Sequence, residues 1–294
     1  MSQQLPKHVP VMPREVVEWL DPQPGQTFVD GTLGAGGHTR LLAAAVGPSG
    51  LVIALDRDPA ALDAAEQSLK GQPIKLVGSN FCELTEVLEQ LEVDAVDGIL
   101  LDLGLSSDQL ADDERGFSFD SQGPLDLRFD SRAGEPAWRL LERLSATHLA
   151  DLIYHYGEER FSRRIARKIV ERRQSQPVRT AADLARLVRS SVPKTTKIDP
   201  ATRTFQALRI AVNDELKSLE IALERFPECL VDGGRLAVIS FHSLEDRRVK
   251  EAFRDDDRYE VLTRKPLRPD EAEINTNPRA RSAKLRVARR NVES

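Results

Sequence analysis

The sequence predicts an α/β fold: a doubly wound, mostly parallel sheet interrupted by an inserted helical domain. Three observations predict it. Strand and helix patterns alternate through roughly the first hundred residues. A glycine-rich turn follows the first strand pattern directly, and the alternation stops after Gly104, to return only near Arg235. Continuous apolar strands alternating with helices are the signature of a parallel sheet covered on both faces.

Each element can be justified in turn. Gln26–Asp30 is a short β-rich run, and the apolar, alanine-rich Leu41–Val46 suits a helix packed closely on a sheet. Leu51–Asp56 reads as a buried strand ending in an acid. Pro59–Lys70 reads as a helix with proline in its first turn and Gly71 beyond its end. Ile74–Val77, Thr85–Leu91 and Val96–Leu103 continue the series as strand, helix and strand. From Gln109 to Phe205 the patterns are helical, which sets an inserted domain at 109–205 between sheet-domain halves at 1–108 and 206–294. Strand character resumes at Arg235–Phe241, with further strands expected at Tyr259–Thr263 and Lys284–Ala288. Ser243–Asp246 reads as a capping box opening a helix, which makes His242 a turn residue or one facing a substrate pocket.

A chain of 294 residues is long enough for one large core, or for one core plus a smaller insert. Its 40% hydrophobic and 30% charged content is that of an ordinary globular protein. The two cysteines, Cys82 and Cys229, lie far apart and form no CxxC, which argues against a zinc site or a disulfide framework. The five histidines show no metal-ligand spacing, so no metal is expected. The first ten residues contain no apolar run, and the longest apolar stretch, Gly98–Leu105, falls far short of the ~18 residues of a membrane helix. The expected location is the cytoplasm, with no membrane partner.

Ligands of doubly wound sheets bind beyond the carboxyl ends of the strands. Three features of the sequence should converge there. The first is the run Asp30–His38, in which Gly36 and Gly37 precede His38. Glycines let backbone approach a ligand closely, although a mere tight turn would use them as well. The run lacks the lysine of a phosphate-cradling P-loop, and Thr39 stands where a dinucleotide fingerprint needs its third glycine, so a nucleoside ligand is favoured over phosphate. The second feature is Asp56, 22 residues after Gly34, where a carboxylate can accept ribose hydroxyls or cap the next helix; Asp58 is better placed for the cap. The third is Asp102, which interrupts an apolar run at a strand end and acts either at a site or as a turn carboxylate.

Together these segments resemble the bacterial 16S ribosomal RNA cytosine-N4 methyltransferase family, also called RsmH or MraW. The resemblance covers nearly the whole chain. It extends through Arg115–Phe119, Gly123–Arg128, Tyr156–Arg160, Pro200–Ile210, Ser240–Arg247 and Asn277–Ser282. It implies a Rossmann-like class I methyltransferase fold and S-adenosyl-L-methionine as cofactor. By position it implies a cofactor pocket of Gly36, Gly37, His38, Asp56, Phe81, Asp102 and Gln109. Phe81 and Gln109 rest on the resemblance alone; the residues by themselves would make Phe81 a core side chain. The chain departs from the family's pattern at Asp108, Ala111 and Asp199, none of them an implied cofactor contact. The substrate implied is a cytosine amine in 16S ribosomal RNA within the small ribosomal subunit, with Asp102 as the candidate catalytic acceptor.

The charge distribution is compatible with such a substrate. The formal net charge is −5, yet residues 150–209 hold 14 Lys/Arg against 6 acids, a net +8 that leaves −13 for the remainder. In Arg160–Val170 the residues Phe161, Ile165 and Ile169 recur at helical spacing, which puts Arg160, Arg163, Arg164 and Arg167 on another face. These four, with Arg203 and Arg209 and with Arg279 and Arg281 of a second basic run, are candidate RNA contacts. A solvated amphipathic helix explains the first run equally simply, and an edge strand the second. Competing functions are a DNA or small-molecule amino-methyltransferase, a non-catalytic RNA-binding assembly factor and a nicotinamide oxidoreductase. The [DNS]PP[YF] signature of many amino-methyltransferases is absent, since Asp102 is followed by Leu103-Gly104.

Overall fold

A computed structural model describes residues 9–193 and 199–292; Lys194 and Lys197 of the basic window lie outside the described residues. The chain divides into two compact units, Met1–Leu105 with Leu216–Ser294, and Ser106–Glu215.

The first unit runs α1 (Pro13–Leu20), β1 (Thr27–Asp30), α2 (Gly37–Val46), β2 (Leu51–Asp56), α3 (Pro59–Ser68), β3 (Ile74–Gly78), α4 (Leu84–Gln90) and β4 (Val96–Asp102). The second unit contains α5 (Ser107–Ala111), α6 (Ala137–Arg143), α7 (Ala146–Gly157), α8 (Ser162–Arg172), α9 (Ala181–Ser191) and α10 (Ala201–Asn213). The chain then returns through α11 (Glu215–Cys229), β5 (Leu230–Ser240), α12 (Ser243–Asp255), β6 (Tyr259–Val261), α13 (Glu271–Thr276) and β7 (Lys284–Arg290).

The sheet has the order β3-β2-β1-β4-β5-β7-β6. Strands β1 to β5 pair in parallel, and β7 is antiparallel to both β5 and β6. This order, with one reversed strand slotted beside β5, is the doubly wound, mostly parallel sheet that the sequence predicts. The continuous apolar strands follow from burial on both faces, because successive side chains point to opposite sides. Val29, Ile53 and Leu101 join a core with Leu223 and Phe226 of α11 and Phe253 of α12. Their neighbours Phe28, Val52 and Leu100 join a second core with Val16 of α1 and Leu42 and Val46 of α2.

Two local expectations need correction. The basic run at 284–290 is not an edge strand: β7 lies between β5 and β6, and β6 forms the edge. Helix α12 begins at Ser243 but is capped by His242 rather than by Ser243. The His242 Nδ1 accepts the Glu245 N–H at 3.4 Å while the Glu245 carboxylate accepts the N–H groups of Phe241 and His242. A ring nitrogen here does what a serine oxygen usually does in a capping box.

Among the described residues of the second unit, the longest stretch that forms no regular helix is 116–136. That stretch is held by side-chain bonds to backbone. Asn213 donates to the Leu127 carbonyl at 2.7 Å and accepts from the Phe129 N–H at 2.7 Å, and Arg115 donates to the carbonyls of Arg128 and Phe129. Helices α7 and α10 meet at Gly157, where a Cβ would stand 2.4 Å from the Arg203 carbonyl oxygen, so no larger residue fits without separating them. In α8 Ile165 and Ile169 of the predicted apolar stripe are buried, with Ala166 beside them, Phe161 just before the helix is half-buried, and Arg163, Arg164 and Arg167 are exposed.

Candidate active site

The carboxyl ends of β1, β2 and β4 carry three acids, Asp30, Asp56 and Asp102. Between β1 and α2 the backbone turns through Gly36, whose φ of +72° is a left-handed conformation that costs L-residues roughly 1–2 kcal/mol. Gly36 is the N-cap of α2, so the helix begins at Gly37, four residues before the run expected from alanine content. His38 and Thr39 therefore sit in its first turn, and both are buried.

Asp30 is fully buried at the end of β1. It accepts from the Thr39 hydroxyl at 2.7 Å and from the Thr32 N–H at 3.1 Å. Burial holds its carboxyl above the usual range against those two bonds. The Thr32 hydroxyl also accepts the Asp102 N–H at 2.6 Å, which ties the ends of β1 and β4 together. The His38 Nε2 stands 3.6 Å from Asp102 Oδ2. Burial alone would push the imidazole down, but the Asp102 carboxylate and, further off, Asp30 outweigh it and raise the pKa.

Asp56 closes the other side. Its Oδ2 accepts the Gly34 N–H and its Oδ1 the Asp58 N–H, each at 2.9 Å. Desolvation drives its pKa up to about 6 despite both bonds. Asp58 caps α3 through the Ala60 N–H at 3.1 Å, which leaves Asp56 outside the capping role. Phe81 follows β3 in a short 3-10 turn and packs partly buried against the sheet core. Its Cβ lies 3.1 Å from the place a Cβ on Gly31 would take.

Gly36, Gly37, His38, Asp56, Phe81 and Asp102 thus belong to one unit and to adjacent strand ends. Gln109 belongs to the second unit, where its side-chain oxygen accepts the Ser106 N–H at 3.0 Å in the capping box of α5. The residues fit a nucleoside bearing a charged amino-acid tail. Both His38 ring nitrogens and Asp102 Oδ1 are buried with no hydrogen-bond partner in the chain. Polar atoms so placed are costly unless a ligand engages them. Sequence reasoning passed over Asp30, Thr32 and Thr39; the signal was an acid closing an apolar strand, with a threonine 9 residues on.

The candidate RNA contacts fall into two groups. Arg160, Arg163, Arg164, Arg167, Arg203 and Arg281 are exposed, with Arg160 stacked 4.7 Å over the Phe161 ring and Arg203 donating to the Glu158 carbonyl at 3.3 Å. Arg209 is folded onto Glu215 in a bidentate pair at 2.8 and 3.0 Å, and Arg279 donates to the Leu105 carbonyl. On β7, Lys284 and Arg286 both bond Asp246 at 2.7 Å, Arg289 pairs with Glu260 and Arg290 with Asp232. Among the described residues no cluster of His, Cys, Asp or Glu could hold a metal ion, and no helix is long and apolar enough to cross a membrane.

A sheet of this order, carrying a glycine turn after β1 and acids closing β2 and β4, defines a class I S-adenosylmethionine-dependent methyltransferase. The chain belongs to the MraW methylase family, whose sequence profile it matches over residues 6–291. Among its curated relatives, a protein of Rhodopirellula baltica is 52% identical over 97% of this chain and 91% of its own length. One from a Cyanothece species is 52% identical over 96% and 94%, and one from Syntrophotalea carbinolica 49% over 99% and 100%. All three carry the name ribosomal RNA small subunit methyltransferase H.

Proposed function

We propose that this chain transfers a methyl group from S-adenosylmethionine to the exocyclic N4 amine of a cytosine in 16S ribosomal RNA. The observation that carries the reading is the buried, unpartnered Asp102 Oδ1 at the end of β4, beside the glycine turn of a family whose relatives are small-subunit rRNA methyltransferases. We further propose the assembled small ribosomal subunit as the physiological partner and the cytoplasm as the location.

When bound, S-adenosylmethionine supplies a methyl on a sulfonium, so that the nitrogen–carbon bond forms as the carbon–sulfur bond breaks. The chain's own task is alignment, which can supply roughly 7–11 kcal/mol of a barrier. Gly36, Gly37 and His38 would hold the amino-acid portion, Asp56 would accept ribose hydroxyls through its remaining lone pairs, and Phe81 would lie against the base. The cytosine amine is a weak nucleophile because its lone pair is delocalised into the ring. Asp102 Oδ1 accepts one amine N–H, orients the nitrogen and holds the proton as positive charge develops on it. His38, against the other oxygen, fixes the carboxylate's orientation. The target base must leave its stack to reach a buried site. The exposed arginines of α8 are proposed to bind RNA phosphates.

The test is labelled-methyl transfer to small subunits, free 16S RNA and DNA, with the modified nucleoside mapped. Transfer to a cytosine N4 in RNA is expected; transfer to none of the three substrates would remove the enzyme reading. Asp102→Asn should lower kcat about 10²–10³-fold, the scale of a lost transition-state hydrogen bond. Unchanged turnover together with unchanged cofactor affinity would overturn both roles of Asp102.

A further inference from the structure

The basic residues that sequence order groups together on β7 are consumed by acids inside the sheet unit. A different set stands free of acids on the same unit. Arg264, Lys265 and Arg268, in the loop between β6 and α13, are exposed, as is Arg281, and none is within ion-pair distance of an acid among the described residues. The acids of the same stretch are turned to other work. Asp270 caps α13 through the Glu273 N–H at 2.7 Å, and Glu273 accepts the Met12 N–H at 2.7 Å. Glu271 is exposed as well, so residues 264–273 hold three cations against three acids, with the cations grouped at the start of the loop and the acids at its end.

The loop is fixed rather than loosely tethered. Leu267 and Leu285 exchange both backbone bonds, at 2.9 and 3.0 Å, in an isolated antiparallel bridge, and Leu267 packs on the second sheet core. Thr263 is tied to Val287 through backbone and hydroxyl. The register then places the loop relative to the site. Asp102 pairs with Ile239, Ile239 with Leu285, and Leu285 with Leu267, so Asp102 and Leu267 occupy one row across the sheet. Three strand spacings separate them, roughly 15 Å. Three cations are therefore held on a rigid support, at the carboxyl rim of the sheet, a few nucleotides' reach from the candidate acceptor.

From this arrangement we infer that Arg264, Lys265 and Arg268 form a phosphate-binding rim that grips the RNA strand flanking the target base. The inference rests on the RNA-methyltransferase reading above and deepens it. The rim contacts backbone rather than base edges, so it gives affinity and register without sequence selectivity.

The test is RNA binding by the full chain across a salt series, using a 16S RNA fragment that contains the methylated cytosine. Combining Arg264→Ala, Lys265→Ala and Arg268→Ala should weaken binding about ten- to a hundredfold at 0.1 M salt. At about 0.7 per single-strand phosphate contact, the log–log salt slope should fall by about 2. S-adenosylmethionine affinity and melting temperature should match the wild type. Arg289→Ala, which removes a β7 arginine already paired with Glu260, should leave the slope unchanged. Should the triple variant fold poorly, the milder Arg268→Gln is expected to lower the slope by about 0.7. Equal affinity and slope in variant and wild type would overturn the rim while leaving the methyltransferase intact. A wild type that neither binds nor methylates RNA would instead remove the functional reading itself.

Discussion

Asp56 shows how one half-buried carboxylate ties function to stability. Its pKa of about 6 lies above the ordinary 3.8 because burial penalises the charged form more than two backbone N–H bonds favour it. A carboxyl whose folded pKa is raised binds its proton more tightly in the native state than in the unfolded chain. Its contribution is therefore greatest at low pH and is lost as pH rises through about 6. Between pH 5 and pH 8 that contribution should fall by about 1.4 kcal/mol. Denaturant titrations of wild type and Asp56→Asn in the cofactor-free state measure it: the stability difference between the two should move by that amount over this range. A pH-independent difference would mean that Asp56 ionises normally. In the wild type, cofactor affinity should also weaken below pH 6, as protonation removes the acceptor that ribose needs.

At the scale of elements, β7 carries the sharpest expectation. Arg286 is buried, and Asp246 on α12 bonds it and Lys284 together. Burial alone would raise the Asp246 carboxyl, but bonds from Arg286 and Lys284 outweigh it and hold the pKa below the usual range. A depressed folded pKa contributes stability above the unfolded value, and that stability is lost as pH falls through the folded one. Asp246→Asn leaves a buried guanidinium uncompensated and should cost roughly 3 kcal/mol at neutral pH, read as a lowered urea midpoint. A loss under 1 kcal/mol would mean that water reaches Arg286.

The same strand marks what sequence could and could not reveal. Patterns along the chain located every strand of the sheet, because apolar runs such as Val52–Leu55 are buried on both faces and need no partner to be recognised. They left the edge reading of β7 open because lateral order is set by pairings between distant segments, which leave no local trace. In the site, Gly36, Asp56 and Asp102 were legible as polar or flexible residues at strand ends. The web of Asp30, Thr32 and Thr39 was not, since threonines acquire meaning only once α2 is folded back over β1.

On the scale of the whole molecule, net charge misleads. The total of −5 hides cations that are of two kinds, those neutralised within the fold and those left outside it. Arg172 and Arg186 share Asp183, Arg189 pairs with Asp199, and Arg209 with Glu215, whereas Arg163, Arg164 and Arg167 project from α8. RNA binding should accordingly be steeply salt-dependent despite the negative total. Affinity for a 16S fragment should fall on the order of a hundredfold between 50 and 200 mM salt, as six or so phosphate contacts require. A flat response in a filter-binding series would exclude a phosphate-tracking surface.

The position of β7 also constrains the order in which the sheet can be assembled. It is the last strand in the chain, yet it lies between β5 and β6, which emerge before it. During synthesis, β5 must wait with its outer backbone edge unpaired, and with Leu236, Val238 and Ile239 near it, until more than forty further residues have been made. An open apolar edge invites pairing with another chain. A ribosome stalled anywhere between β5 and β7 should therefore leave an aggregation-prone nascent chain, and truncation before Lys284 should harm solubility more than any substitution in the site.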